Sequence, residues 1–228
     1  MTTEEFSDAF DTLVQQQLLN TELQVSEYEK SLFLTQAQNE IVLSLYNGVN
    51  ATYDSFEKTE EIRRYLAPLV KTKQYVTSEA KDITKVATNS TAFDLPKDIY
   101  FIVYEKANIS IGSCTNLEVD VVPITHNEYN RIRRNPFKNA NNRRALRLDL
   151  SNQTVEIINK GTLNNYFIRY ISKPSPIILV SLQADNLSIE DETKAQTCAL
   201  HEALHDKILK RAVALAIASK TQYNSKQG

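Results

Sequence analysis

The residues with the clearest chemical potential are His201-Glu202-Ala203-Leu204-His205, a match to H-E-x-x-H. On a helix, histidines four apart lie on one face and can share a zinc ion, while the glutamate activates the metal-bound water. The apolar periodicity from Cys198 to about Ser219 predicts such a helix. A catalytic zinc also needs a third protein ligand, and neither a histidine nor a glutamate follows His205. The remaining histidine, His126, is far upstream, and the residue after the second histidine is the charged Asp206. A packing role explains the same residues. Leu200, Leu204, Ile208, Ala212 and Leu215 form one ridge at i,i+4 spacing, and His201, His205, Leu209, Val213 and Ile217 form the next. The expectation is therefore a packing helix with no catalytic residue, no cofactor and no metal, and a zinc-dependent peptidase using the HEALH segment is the alternative.

Composition narrows the classes further. The chain has 228 residues, a net charge of −2, 42% hydrophobic and 24% charged residues, ordinary for a globular protein with a sizeable core. That balance predicts no bulk attraction to nucleic acid or membrane. Four glycines leave little room for phosphate-cradling loops, and neither G-x-G-x-x-G nor a P-loop occurs. Cys114 and Cys198 fit no metal or redox spacing and read as reduced thiols. The first residues are polar and acidic, unlike a secretory leader, and no apolar run has the length of a membrane span.

The elements that must position any site fall into two kinds. Residues 2–19 predict an amphipathic helix with Thr2 and Glu5 at capping-box spacing and Phe6, Phe10, Leu13, Val14 and Leu18 on one face. A second helix opens at Ser26/Glu29 and stops at Gly48. A third covers Ser55 to Leu66, ended by Ala67-Pro68. The period then becomes two. Strands are expected at Gln74–Thr77, Thr91–Leu95, Ile99–Tyr104 (buried on both faces), Leu117–Val122, Ala145–Leu150, Thr154–Ile158 and Tyr166–Ile171. Thr125 and Glu128 cap a short helix near 126–134. The pattern predicts an α+β fold: a helical bundle from the N-terminal helices and the C-terminal helix (1–72 and 181–228), with an inserted antiparallel β-rich domain (73–180).

The net charge hides an asymmetry. Residues 1–30 carry seven acidic side chains and one basic. Residues 129–148 carry Arg131, Arg133, Arg134, Lys138, Arg143, Arg144 and Arg147 and no acid, interspersed with Asn135, Asn139, Asn141 and Asn142. Three readings of this block stay open: a solvated loop, a surface complementary to an acidic protein, and non-specific contact with nucleic-acid phosphates. Only Phe137 interleaves, which argues against base stacking.

Three stretches also carry a resemblance: KSLFLTQAQNEIVLSLYNG (30–48), PITHNEYNRIRRNPFKNANNRRALRLDL (123–150), and RYISKPSPIIL (169–179) followed by LHEALHDKILKRAVALAIAS. In this order they resemble head-to-tail connector proteins of short-tailed bacteriophages, most closely the neck ring proteins of crAss-like phages. The resemblance implies a structural virion protein, assembled in the host cytoplasm and without enzyme activity. It implies a self-assembled ring, a dodecamer, docked on the portal, extending the DNA channel and offering a surface to the next tail or ring protein. The seven basic residues become candidate contacts to a neighbouring subunit, the portal or packaged DNA. No membrane is involved.

Overall fold

The computed structural model describes residues 1–17, 24–48, 60–151 and 153–224. It is an α+β chain in two compact units, one comprising the described residues up to Leu69 and from Pro174 onward, the other Val70–Lys173. The end of the helix predicted over 2–19 and the start of the one predicted from Ser55 fall outside the described residues. No described helix is long and apolar enough to cross a membrane.

In the first unit, α1 (Thr3–Gln17) buries Phe6, Phe10 and Val14, and the Thr2/Glu5 pair caps it reciprocally at 2.9 and 3.2 Å. The second helix, α2 (Glu27–Asn47), opens on the Ser26/Glu29 capping box and ends at Gly48 in the left-handed region, φ 66°. Both ends follow from local chemistry: a hydroxyl and a carboxylate satisfy the first amides, and glycine takes positive φ without a Cβ clash. A third helix, α3 (Glu60–Leu66), buries Ile62 and Leu66.

The face that α2 buries is unusual. Ser31, Thr35 and Gln38, at i, i+4 and i+7, lie on one stripe and are buried together with Lys30. They receive the extended segment that leaves Pro174-Ser175-Pro176. Gln38 Nε2 donates to the Ser175 carbonyl at 2.7 Å, Thr35 Oγ1 accepts from Ile177 N–H at 3.0 Å, and Ser31 Oγ accepts from Leu179 N–H at 3.0 Å. Buried backbone groups need partners. Here helix side chains supply them for Ile177 and Leu179, and a single antiparallel bridge to Gln196 serves Ile178, so that Ile177 and Ile178 are fully buried. Lys30 is neutralised by Asp11 at 2.6 Å and Glu27 at 2.7 Å. Burial alone would lower its pKa, but these carboxylates raise it above the ordinary lysine value.

The second unit holds seven strands: β1 (Val70–Val76), β2 (Ser90–Asp94), β3 (Ile99–Ile111), β4 (Cys114–Ile124), β5 (Arg144–Asp149), β6 (Thr154–Ile158) and β7 (Thr162–Ser172), in sheet order β1-β7-β3-β4-β5-β6-β2. A flat sheet of this width would hold its edge strands about 29 Å apart, given roughly 4.8 Å per strand. Yet the rings of Tyr75 on β1 and Phe93 on β2 are 5.2 Å apart, and both stack near Tyr166. The sheet is therefore curled, and a core including Tyr75, Phe93, Ile109, Val119, Ile157 and Tyr166 fills its concave face.

The alternating pattern predicts an antiparallel sheet, and the observed sheet departs from it at one pair. β4 and β5 pair in parallel, Asp120 opposite Arg144 through Ile124 opposite Leu148. Adjacent parallel strands require a long crossover. Residues 125–143 provide it, including α4 (His126–Ile132) with the Thr125/Glu128 capping box. Tyr129, Ile132 and Ala140 of this crossover pack on Leu146, Leu148 and Ile158, covering the outer face of the sheet. A second expectation also fails. The apolar run Ile99–Tyr104 has no buried residue, and Tyr104 is 45% exposed. Register shifts between Ile99 and Phe101 and between Ile102 and Tyr104 break the alternation there. Burial resumes at Glu105, Ala107 and Ile109, where β3 continues into a hairpin turned at Gly112, φ 57°.

Candidate functional site: an exposed basic crossover

The H-E-x-x-H segment does not form one helical face. The final helix, α5 (His205–Asn224), starts at the second histidine and is preceded by a single 3-10 turn, Glu202–Leu204. This corrects the expected start at Cys198. His201 caps that turn in an extended conformation, φ −58° and ψ 139°, its Nδ1 accepting from Ala203 N–H. Its ring lies 5.5 Å from that of Tyr65. His205 is buried instead, 5.4 Å from the Phe6 ring, with Nε2 directed to the Leu200 carbonyl at 3.2 Å and Nδ1 to the Met1 amine at 3.0 Å. Donation from Nε2 and acceptance at Nδ1 describe a neutral imidazole. Burial, with a smaller push from the nearby amine, lowers its pKa below the ordinary histidine value. Among the described residues no three His, Cys, Asp or Glu side chains are grouped to hold a metal ion. Both histidines thus do local work: one opens a turn, the other seats α1 on α5. Burial pushes the Cys198 thiol up to about 11, and it donates to Gln38 Oε1.

The basic block divides in two. Arg147 lies on β5 facing the concave core, 11% exposed, with Nη1 2.6 Å from Glu105, itself 5% exposed. Tyr166 donates to the other oxygen of Glu105. Burial would lower the Arg147 pKa, but Glu105 and Asp149 raise it on balance. Burial and Glu105 together raise Tyr166 well above the usual phenol value. Arg147 is thus the cation of an internal network and is not on the accessible surface.

The other six belong to the crossover and, for Arg144, to the first position of β5. Arg131, Arg133, Arg134, Lys138 and Arg143 are exposed and Arg144 is half-buried. Among the described residues, none of the six has a carboxylate within salt-bridge distance. The loop carrying them is nevertheless ordered, and the interspersed asparagines explain why. Asn135 Oδ1 accepts from Phe137 N–H at 3.0 Å and Asn141 Oδ1 from Arg143 N–H at 2.8 Å, both two residues on. Such turns let asparagine replace backbone hydrogen bonding. Asn139 donates to the Arg133 carbonyl at 3.3 Å and closes the loop. At the tip stands Phe137, 87% exposed. An aromatic held out in water among unpaired arginines has the composition of an interface anchor.

The other outward feature with such a character lies on α2. The face adjoining its buried polar stripe exposes Leu32 (40%) and Leu43 (36%). With Phe33, Gln36 and Ile189 they line an open groove of about 770 Å³. Glu29, Glu40 and Glu190 stand at its rim. Glu40 pairs with Arg211 at 2.7 Å, and Glu190 accepts from Asn39 at 3.2 Å. Glu190 and Asp191 both take positive φ, 52° and 67°, in a tight turn closed by mutual bonds between Ile189 and Glu192. Neither the groove nor this acidic turn was apparent in the sequence. The signal for it was the mixed pattern of α2, which buries Ser31, Thr35 and Gln38 beside Leu34 and Leu45 while Leu32 and Leu43 stay exposed.

The chain is 42% identical over 226 residues to ring protein 3 of Bacteroides phage crAss001, covering 97% of each chain. It is 29% identical over 227 residues to ring protein 4/5 of the same phage, covering 96% of this chain and 93% of that protein. The family model described as phage tail ring protein 3/4 matches residues 1–228. By this full-length match the chain belongs to the phage tail ring protein 3/4 family of crAss-like phages.

Proposed function

We propose that this chain is a structural virion protein, one subunit of a connector ring that docks on the portal, extends the DNA channel and offers an attachment surface to the next tail or ring protein. The single observation that carries the reading is the full-length family match to ring proteins. The ring is read as a dodecamer, assembled in the host cytoplasm and retained in the virion. Two features of the molecule favour assembly over catalysis. The H-E-x-x-H histidines are separated into different environments. The conspicuous surface features are an ordered basic loop with an exposed aromatic and an apolar groove.

The helical unit is read as a bundle made from both ends of the chain. It is supported by the Phe6–His205 and Arg211–Glu40 contacts, which tie α5 to α1 and to α2. The unit of Val70–Lys173 is read as an inserted domain. Its six outward cations are proposed contacts to a neighbouring subunit, the portal or packaged DNA, and any DNA contact would weaken steeply with salt.

The test is to mix the purified full chain with the portal protein of its phage and to image the product, alongside protein analysis of purified particles. Rings seated on the portal, and the chain present in particles, are the expected result. A chain that stays monomeric beside portal and is missing from particles sinks the reading. Monomer in the absence of portal does not, because ring subunits of this kind can require a template.

A further inference from the structure

We propose that the Phe137 loop of one copy docks into the α2 groove of the next, so that the loop and groove form the contact that builds the ring; this rests on the ring reading above. The two surfaces are complementary in chemistry. The loop offers an aromatic side chain 87% exposed, flanked by Arg133, Arg134 and Lys138. The groove offers exposed leucines, Leu32 and Leu43, within an acidic rim. Beside that rim, Asp191 and Glu192 are exposed and have no ion pair among the described residues.

The occupant is a second copy for a definite reason. A loop and a groove are different surfaces, so joining them between copies is a head-to-tail contact, the kind that closes into rings when the rotation allows. A nucleic-acid partner would use the cations but would give no role to the groove. Burying Phe137 supplies the desolvated aromatic centre that interface energetics favour. The surrounding charges set register and speed encounter. The asparagine turns hold the loop before contact, which lowers the ordering cost of association.

The experiment uses the full chain with Cys114, the exposed thiol, replaced by serine. Phe137→Cys and Leu43→Cys are introduced singly and together, and the proteins are oxidised mildly in portal-templated rings. The double variant is expected to give a ladder of covalent oligomers. The two single variants mixed are expected to give cross-linked dimers that contain one of each. Rings that form without any ladder overturn the docking and leave the ring reading standing. Cross-linking of Phe137→Cys to itself or to a different particle protein overturns the docking in the same way. If wild-type chain forms no rings on portal, the functional reading fails as well.

A charge exchange supplies an arm that needs no cysteine. Arg133→Glu with Arg134→Glu is expected to abolish ring formation. Asp191→Lys with Glu192→Lys should do the same, and combining both pairs in one chain should restore it. Reversal on either side without loss overturns the proposal, as does a loss that the combined variant fails to restore.

Discussion

Arg144 and Arg147 stand three residues apart in one basic block and have opposite fates. Arg144 opens β5 where the crossover ends, half-buried and with no carboxylate within salt-bridge distance among the described residues. Arg147 lies inside the curled sheet, held by Glu105 from β3 and flanked by Asp149. The difference comes from the strand. Once β5 begins, side chains alternate faces, so Leu146 and Leu148 go to the outer face under α4 while Ala145 and Arg147 go inward. Arg144 has the outward parity of Leu146 and Leu148 and adjoins the surface loop of the crossover, where charges are solvated. A run of like charges in sequence is therefore not one surface. The fold divides it into a structural cation and a presented patch.

That division can be broken at its buried end. Glu105→Ala leaves the Arg147 guanidinium buried beside an unpaired Tyr166 hydroxyl. A loss of about 3–5 kcal/mol is expected, the usual cost of removing one partner of a buried pair. Urea denaturation measures it. Replacing Glu105 and Arg147 together by methionine is expected to recover most of that loss, since the unpaired charge goes with its partner. A loss under about 0.5 kcal/mol from Glu105→Ala, the ordinary range for surface substitutions, would show that Arg147 is solvated after all.

The helical unit carries the neutral counterpart of that network. Gln38→Ala strands the Ser175 carbonyl and the Cys198 thiol. About 1–3 kcal/mol is expected, the cost of an unsatisfied buried polar group, read as a shift in urea midpoint. Gln38→Glu, which keeps the shape but buries a charge, should be worse.

His205 makes a smaller, pH-dependent contribution. Its folded pKa lies below the unfolded value, so in the window between the two the unfolded chain binds more protons. Stability then rises with pH through that window; it is fully present above the ordinary imidazole value and lost as pH falls through the folded one. Comparing thermal midpoints of wild type and His205→Asn across pH isolates the term, because every other group is common to both proteins. A difference that does not change with pH would contradict a buried neutral imidazole.

The smallest effect belongs to the patch itself. Arg133→Glu with Arg134→Glu is expected to change stability by no more than about 0.5 kcal/mol while ring formation is lost. A stability loss comparable to that of Glu105→Ala would show these arginines holding the fold, and the contrast with Arg147 would collapse.

Much of the element map was legible in advance because its signals are short-ranged. The capping boxes at Ser26/Glu29 and Thr125/Glu128 sit where the residues predict. β6 runs over Thr154–Ile158 as its apolar pattern indicates. The α+β composition was likewise visible in the change of period from helix to strand. The parallel β4–β5 pair was harder to see, because strand direction is set by where the crossover returns. The 3-10 start of the last helix was masked by an apolar spacing that continues through Cys198–His201 without the backbone following it. Of the candidate site, the cations and asparagines were readable. Their division was not, nor was the groove, since leucines in a helix are expected inside.

What the sequence by itself determined are the features decided within three or four residues: caps, turns, strand alternation and the asparagine-rich order of the basic loop. Those depend on backbone geometry that the local residue types impose. Only the tertiary structure decided which polar groups are buried and which apolar ones are shown. Arg147 meets Glu105 across 42 residues of chain, and Gln38 meets Ser175 across 137. A polar side chain can leave water only where a partner is already in place, and no local pattern records a partner so far away.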